Sequence, residues 1–368
     1  MVDITATTLR DADRFFLHGR LRRAVLWPME HRTIGQTGIR VSPLCFGAMM
    51  LGQWGNQDHD DSVRIIHRAL DAGINFIDTA DVYSQGESEE IVGKALKGRR
   101  DDVVLATKFT GQMGEGTNRR GHSRKWVIDE VENSLRRLGT DYIDLYQAHR
   151  PDESTGVDEL LSTLSDLIHQ GKIRIIGSST FPAHQIVEGQ WAAERRGLER
   201  FRCEQPPYSI FVRGIERDVL PVCQRYGMGV IPWSPLAGGW LGGKYRKGEP
   251  VPTSGRARMQ PQRFDPSIPE NAKKYDLIEE LAKIAADAGV SLVELAVAFV
   301  IAHPAVTSAI IGPRTMEQLE DQLSVLDLRL EGEILDRIDE LVPPGTNLNE
   351  ADAGWTPPSI ADAKPRRR

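Results

Sequence analysis

Four side chains in this sequence are of types that deliver protons, and three of them close an apolar run. Asp78 ends the run over 74–78, Lys108 that over 103–108 and His149 that over 143–149, while Tyr83 follows Asp78 by five residues. A phenol has an ordinary pKa near 10, too high for an efficient acid near neutrality unless a cation stabilises its anion. Lys108 supplies that cation, Asp78 holds the ammonium in place, and His149 orients an acceptor oxygen or shares the proton. The set suits proton donation to a carbonyl oxygen and still needs an electron source. Singly, an Asp–Lys pair is a structural ion pair, and Tyr83 or His149 a rim or strand-end residue. At the ends of three consecutive strands, the four together describe a site.

Such a pocket requires strands that finish on one face. Eight short apolar runs, at 44–46, 74–78, 103–108, 143–149, 173–179, 201–205, 229–233 and 308–312, alternate with helix-period segments such as 62–72, 126–138 and 157–170. Repeated β-then-α units predict a parallel sheet covered by helices, and at this length a closed (β/α)8 TIM barrel of the α/β class is the usual solution. A doubly wound open sheet is the runner-up, but no G-x-G-x-x-G follows the first strand. Two apolar stretches around the Gly-containing turn in 33–41 predict a hairpin that caps the barrel. Helical patterns over 272–288 and 333–341 are expected as two extra helices outside the ring. Residues 1–28 form an N-terminal extension expected to be poorly ordered, 29–343 the barrel, and 344–368 a polar, solvated tail ending in four basic residues within Lys364-Pro365-Arg366-Arg367-Arg368.

The net charge of −6 and pI near 5.9 supply no basic face for nucleic acid or an anionic membrane. No apolar run approaches the roughly 18 residues that span a bilayer, and no secretory signal is visible. Three widely spaced cysteines, Cys45, Cys203 and Cys223, fit neither a disulfide framework nor a metal knuckle. The expectation is a cytoplasmic protein that binds no metal, acts on a small molecule and can form a homo-oligomer.

Phe76-Ile77-Asp78-Thr79-Ala80-Asp81-Val82-Tyr83, with Glu87-Ser88-Glu89 and Gly93, resembles the signature of the aldo-keto reductases. Ala106-Thr107-Lys108, Tyr142 to His149 and Ile176-Gly177-Ser178-Ser179-Thr180-Phe181 are similar to that family's next motifs, so the resemblance spans about 31–342. It implies a (β/α)8 barrel in which NADPH (NADP+), in preference to NADH, passes a hydride directly to an aldehyde or ketone. Tyr83 is then the acid, Lys108 and Asp78 tune it, and His149 orients the carbonyl. Gln205 and Ser179, with Thr180 where many members have Asn, hold the nicotinamide amide. Trp233 takes the place of the aromatic that stacks on the ring, with Gly47, Ala48, Met49 and Asp78 nearby. Ser234, Pro235, Leu236, Gly238, Leu241, Lys244 and Arg256 match positions that wrap the pyrophosphate. Gly312, Arg314, Gln318, Asp321 and Gln322 match the clamp on the adenosine phosphate at a helix N-terminus, where amide dipoles favour an anion. Arg314 suits a 2′-phosphate.

Trp54 is the residue after the first strand best placed to line a substrate pocket, with Tyr83 and His149. Arg119, Arg120 and His122 belong either to the pocket rim or to a solvated loop. The Gly-, Pro- and Lys/Arg-rich region over 237–270 is too long for an ordinary connection and falls on the site face. Two other functions compete: a cofactor-binding regulatory subunit with little turnover, and an isomerase or aldolase using Lys108 as a Schiff-base amine.

Overall fold

The structure is a computed structural model that describes residues 30–252 and 261–361. The extension over 1–28, Met29, Arg256 and the basic C-terminal end lie outside the described residues.

Ten strands follow one another among the described residues. A hairpin of β1 (Arg32–Thr33) and β2 (Arg40–Val41) precedes β3 (Leu44–Gly47), β4 (Phe76–Asp78), β5 (Val104–Phe109), β6 (Ile143–Ala148), β7 (Ile173–Ser179), β8 (Cys203–Gln205), β9 (Gly229–Val230) and β10 (Ala309–Ile311). Strands β3 to β9 pair in order and in parallel, and β10 returns beside β3. A parallel bridge between Trp233 and Ile310, with Ile310 N donating to Pro232 O at 2.8 Å, closes the circle. The eight runs are therefore the eight strands of a (β/α)8 barrel. The seventh is shorter than the expected 229–233, because Pro232 has no N–H to extend the ladder.

Successive side chains on a strand point to opposite faces, and the barrel interior shows that period. Cys45, Phe76, Ala106, Leu145, Cys203, Ile231 and Ile310 fill it, joined by Ile34 and Val41 from the hairpin. The hairpin thus plugs the end opposite the strand C-termini. Gly35, at φ 48, meets Gly227 so closely that a Cβ would stand 2.3 Å from the Gly227 carbonyl oxygen. Continuing each inward row to its C-terminal end gives Asp78, Lys108, Gln147, Ser179 and Gln205. The bore is apolar, and its mouth is polar.

Among the described residues eight helices surround the strands, from α1 (His59–Asp71) to α9 (Met316–Leu323). They include α2 (Glu87–Leu96), α3 (Arg124–Leu138), α4 (Val157–His169), α5 (Ala183–Arg196), α6 (Val219–Arg225) and α8 (Leu292–Ala302). The last of these is buried around most of its circumference and starts at a Ser291–Glu294 capping box. Between β9 and β10 the extra helix α7 (Pro269–Asp287) packs beside the second addition, α10 (Gly332–Leu341). No single helix among the described residues is long and apolar enough to cross a membrane.

Of the tail expected to be solvated, the described part over 344–361 is anchored to the barrel. Leu348 N donates to Phe211 O at 3.0 Å, and Asn347 bridges to Val212. Asp352 is 9% exposed and pairs with Lys274, at 2.5 Å, and with Arg263. Polar composition hid this anchoring because one buried carboxylate facing two cations fastens the segment.

Candidate active site

Asp78, Lys108 and Tyr83 meet at the mouth of the barrel. The Lys108 ammonium, fully buried, donates to Asp78 Oδ2 at 2.6 Å, to the Thr79 carbonyl at 2.8 Å and to the Tyr83 hydroxyl at 3.2 Å. Burial works to lower the Lys108 pKa, yet Asp78 and then Tyr83 outweigh it and raise the value above its ordinary one. Lys108 stays a cation with its three donor directions taken. A Schiff-base role requires a free amine lone pair, which this setting withholds.

The other Asp78 oxygen accepts from Gln205 Nε2 at 2.8 Å and Gln147 Nε2 at 3.2 Å, so the buried carboxylate is fully engaged. His149 stands edge-on to Tyr83 with ring centroids 5.6 Å apart. Desolvation of the ring, then the positive charges of Lys108 and Arg150, push its pKa well below the usual 6.5. The imidazole is neutral and presents a hydrogen-bonding nitrogen rather than a charge. Trp54, 39% exposed, tilts over Tyr83 at 6.1 Å and forms the outer wall.

Strain gathers on the same face. The non-glycine residues at positive φ are Ser84, Gln85, Thr110, Thr180, Ser234 and Ala237 among the described residues, and each lies just beyond a strand C-terminus. For side chains with a Cβ this region costs on the order of 1–3 kcal/mol. Such corners persist where their surroundings hold them, and they cluster at ligand sites.

The nicotinamide-side residues of the resemblance are brought together. Ser179 Oγ donates to Gln205 O at 2.9 Å, beside Thr180, and Arg150 lies over the Trp233 ring at 5.8 Å. The Trp233 indole N–H is buried without a hydrogen-bond partner among the described residues. Gln205 spends its amide protons on Asp78 and Gln147. Gly47 closes the first strand where a Cβ would strike Ile310, Ala48 is buried with its N–H on Asp78 O, and Met49 is half-exposed.

The positions that the resemblance matches to the pyrophosphate and adenosine lie on the loop after β9 and at the start of α9. Ser234 Oγ accepts from Gly238 N at 2.7 Å, Leu236 borders the loop, and Lys244 is exposed. Pro235 and Leu241 are buried beneath that loop. Gly312 and Asp321 are exposed, Gln322 is buried, and Gln318 accepts from Arg314 N at 3.1 Å at the start of α9. Neither Arg314 nor Lys244 forms an ion pair among the described residues. Lys244 and Arg314, outside any ion pair among the described residues and with Arg314 at the start of α9, fit the phosphates of a dinucleotide.

His122 departs from both expectations held for it, being neither rim nor solvated. It is 3% exposed, stacked on Phe181 at 6.4 Å, with Nε2 3.0 Å from Thr110 Oγ1, which accepts from His149 N. The turn from Gly121, whose N–H donates to Thr110 O, folds it inward, while Arg119 and Arg120 stay exposed. Three further residues belong to the site and were not singled out from sequence: Gln147, Arg150 and Glu204. Gln147 was legible, two residues before His149 on the same strand face.

A separate cavity of about 750 Å3, lined in part by Arg100, Arg136, Tyr142 and Lys172, opens near the strand N-termini. Arg100 and Lys172 there are already paired with Asp144 and Glu132.

Fold and mouth together define a (β/α)8 barrel with a polar pocket of Asp78, Tyr83, Lys108 and His149 at its strand C-termini. Residues 43–343 match the model of the aldo/keto reductase family. The chain is 39% identical over 344 residues to a Bacillus subtilis oxidoreductase, covering 88% of this chain and all of that one. A second B. subtilis protein, named an aldo-keto reductase, is 36% identical over 79% of this chain and 87% of its own. A rice protein named "Probable voltage-gated potassium channel subunit beta" is also 36% identical, over 85% of this chain and 97% of its own. The chain belongs to the aldo/keto reductase family and is an oxidoreductase of that family, which generally uses NAD(P)H.

Proposed function

We propose that this protein reduces an aldehyde or ketone to an alcohol, with NADPH as hydride donor and Tyr83 as general acid. The observation that carries this reading is the Lys108 ammonium held within 3.2 Å of the Tyr83 hydroxyl by Asp78. A carbonyl oxygen placed between Tyr83 and the neutral His149 accepts hydrogen bonds from both. As negative charge develops on that oxygen, the Tyr83 proton moves to it, and the phenolate left behind is stabilised by Lys108. Such proton delivery contributes about 10²–10⁴-fold. The nicotinamide group, when bound, supplies the hydride.

On the cofactor side, Ser179 and Thr180 offer the amide contacts, Trp233 the stacking face, and Arg314 the cation for a 2′-phosphate. Gln205 acts mainly through Asp78. The setting is cytoplasmic and the partner a small carbonyl compound, with no nucleic acid, membrane or metal, and self-association is left to measurement of mass in solution. The rice relative's name favours a second reading, a cofactor-binding subunit with slow turnover. Mixing the protein with NADPH and a panel of aldehydes separates the two by nicotinamide absorbance. Tyr83→Phe is expected to keep NADPH binding and lose reduction; full activity in that variant removes Tyr83 as the acid, and binding without turnover in the wild type supports the second reading.

A further inference from the structure

We propose that Glu204 is a positioning residue whose carboxylate holds the Ser179-Thr180-Phe181 corner in the shape that receives the nicotinamide carboxamide, so that cofactor affinity depends on the charge of this acid. The proposal rests on the nicotinamide reading above.

Glu204 sits on β8 between Cys203, which faces the bore, and Gln205, which faces the mouth, so its own side chain points outward into the helical layer. It is fully buried. Register places it opposite Ser178, and Ser179 opposite Gln205. Ser178 Oγ donates to Glu204 Oε2, and Phe181 N donates to Oε1 at 3.1 Å. One carboxylate therefore grips the chain on both sides of Ser179 and Thr180. Between the two grips Thr180 adopts φ 60, which a β-branched residue rarely takes. The next helix, α5, begins at Pro182 without any side-chain cap, so the bond from Phe181 to Glu204 also fastens its approach.

A buried acid at this point is costly to keep charged. A glutamine offers one acceptor oxygen where the corner uses two. The charged and titratable groups around Glu204 are few. Arg150, from the segment after β6, favours the carboxylate, and the thiols of Cys203 on β8 and Cys223 on α6 feel its charge. Burial raises the Glu204 pKa to about 7, opposed by the bonds from Ser178, Phe181 and the Thr180 amide and by Arg150. The grip is thus complete on the alkaline side of neutrality and weakened on the acid side. Arg150 also reaches toward Ser179 Oγ, at 3.4 Å, and over Trp233, so the same charge influences the stacking wall.

The test is the NADPH dissociation constant from fluorescence between pH 6 and 8.5, for wild type and Glu204→Gln. In the wild type the constant is expected to rise about tenfold toward pH 6. The variant is expected to stay at the weak value throughout, with KM for NADPH raised and kcat at saturation little changed. A 2′-phosphate, with a second pKa near 6, titrates in both proteins, so only the part of the step missing from the variant counts. An equal step in both proteins, or unchanged affinity in Glu204→Gln at pH 8, overturns the proposal. If Glu204→Gln does not fold, Ser178→Ala removes one grip and is expected to move the midpoint of the step upward; an unmoved midpoint overturns the proposal equally. A folded wild type that binds no NADPH at any pH overturns the nicotinamide reading and this inference with it, whereas NADPH binding without the Glu204-dependent step sinks the inference alone.

Discussion

From β4 to β6 the mouth of the barrel is lined by groups that satisfy one another: Lys108 on Asp78, Tyr83 and Thr79, and Gln147 on the remaining Asp78 oxygen, which Gln205 of β8 also reaches. From β7 to β10 the strained corners at Thr180, Ser234 and Ala237, matched by Ser84, Gln85 and Thr110 on the first half, stand beside an indole donor at Trp233 and cations at Lys244 and Arg314 that have no hydrogen-bond or ion-pair partner, respectively, among the described residues. The first half is preorganised, which suits the proton delivery proposed for it. The second leaves donors and cations open, which suits the phosphate and amide groups of the cofactor proposed above. Chemistry and cofactor grip are thus separable here, and mutations should separate them.

The largest break comes from Lys108→Met. Reduction is expected to fall by about 10³-fold, and the buried Asp78 left without its cation should cost about 3–5 kcal/mol of stability. Steady-state rates and urea unfolding measure the two. Pairing it with Asp78→Asn should restore much of the stability and none of the rate; recovery of rate means Lys108 acts through structure alone.

That half was also the legible half. Asp78, Lys108 and His149 close strands, so period and length expose them, and Tyr83 follows from spacing and resemblance. The eight strands, the plugging hairpin and the two extra helices came from periodicity in the same way. Glu204 was hidden because an acid within a short strand next to Gln205 carries no pattern that says which face it occupies. His122 was hidden in a loop of arginines and glycines, where only the tertiary turn shows that it points inward. Asp352 meets Lys274 across 78 residues, a separation no local pattern reports.

His122 supports the preorganised half from behind, and pH should reveal it. Burial pushes its pKa from 6.5 to about 4, with Asp152 opposing. Above pH 6.5 both folded and unfolded chains carry it neutral. Below that value the unfolded chain takes up a proton the folded one refuses, so stability is lost as pH falls toward 4, by up to about 3 kcal/mol. Urea midpoints at pH 7.5, 6 and 5 should show this slope in the wild type and a shallower one in His122→Gln. Identical slopes count against the buried neutral imidazole.

On the other half, Arg314→Ala is expected to weaken NADPH binding about tenfold, near 1.4 kcal/mol, leaving NADH binding and kcat almost unchanged. Added salt should narrow the difference, since the attraction is between exposed charges. Equal losses for both cofactors would assign Arg314 to the shared part of the dinucleotide instead.

The smallest effect probes where the C-terminal segment touches the cofactor half. Gly354 has φ 85, and a Cβ there would stand 2.7 Å from Trp233 Cζ2 and 3.1 Å from Thr180 Cγ2. Gly354→Ala combines a strained backbone with a push on the stacking wall, so a loss of about 1 kcal/mol and a few-fold rise in KM for the cofactor are expected, with kcat retained. Gly332→Ala is the matched control, because it lies outside the candidate site and nothing lies within 4 Å of its Cβ position. Its stability should change by no more than about 0.5 kcal/mol. If Gly354→Ala leaves KM untouched while destabilising the fold, the segment anchored by Asp352 only closes the barrel. If KM moves, then the wall that receives the cofactor is completed by a segment whose composition alone marked it as solvent-exposed.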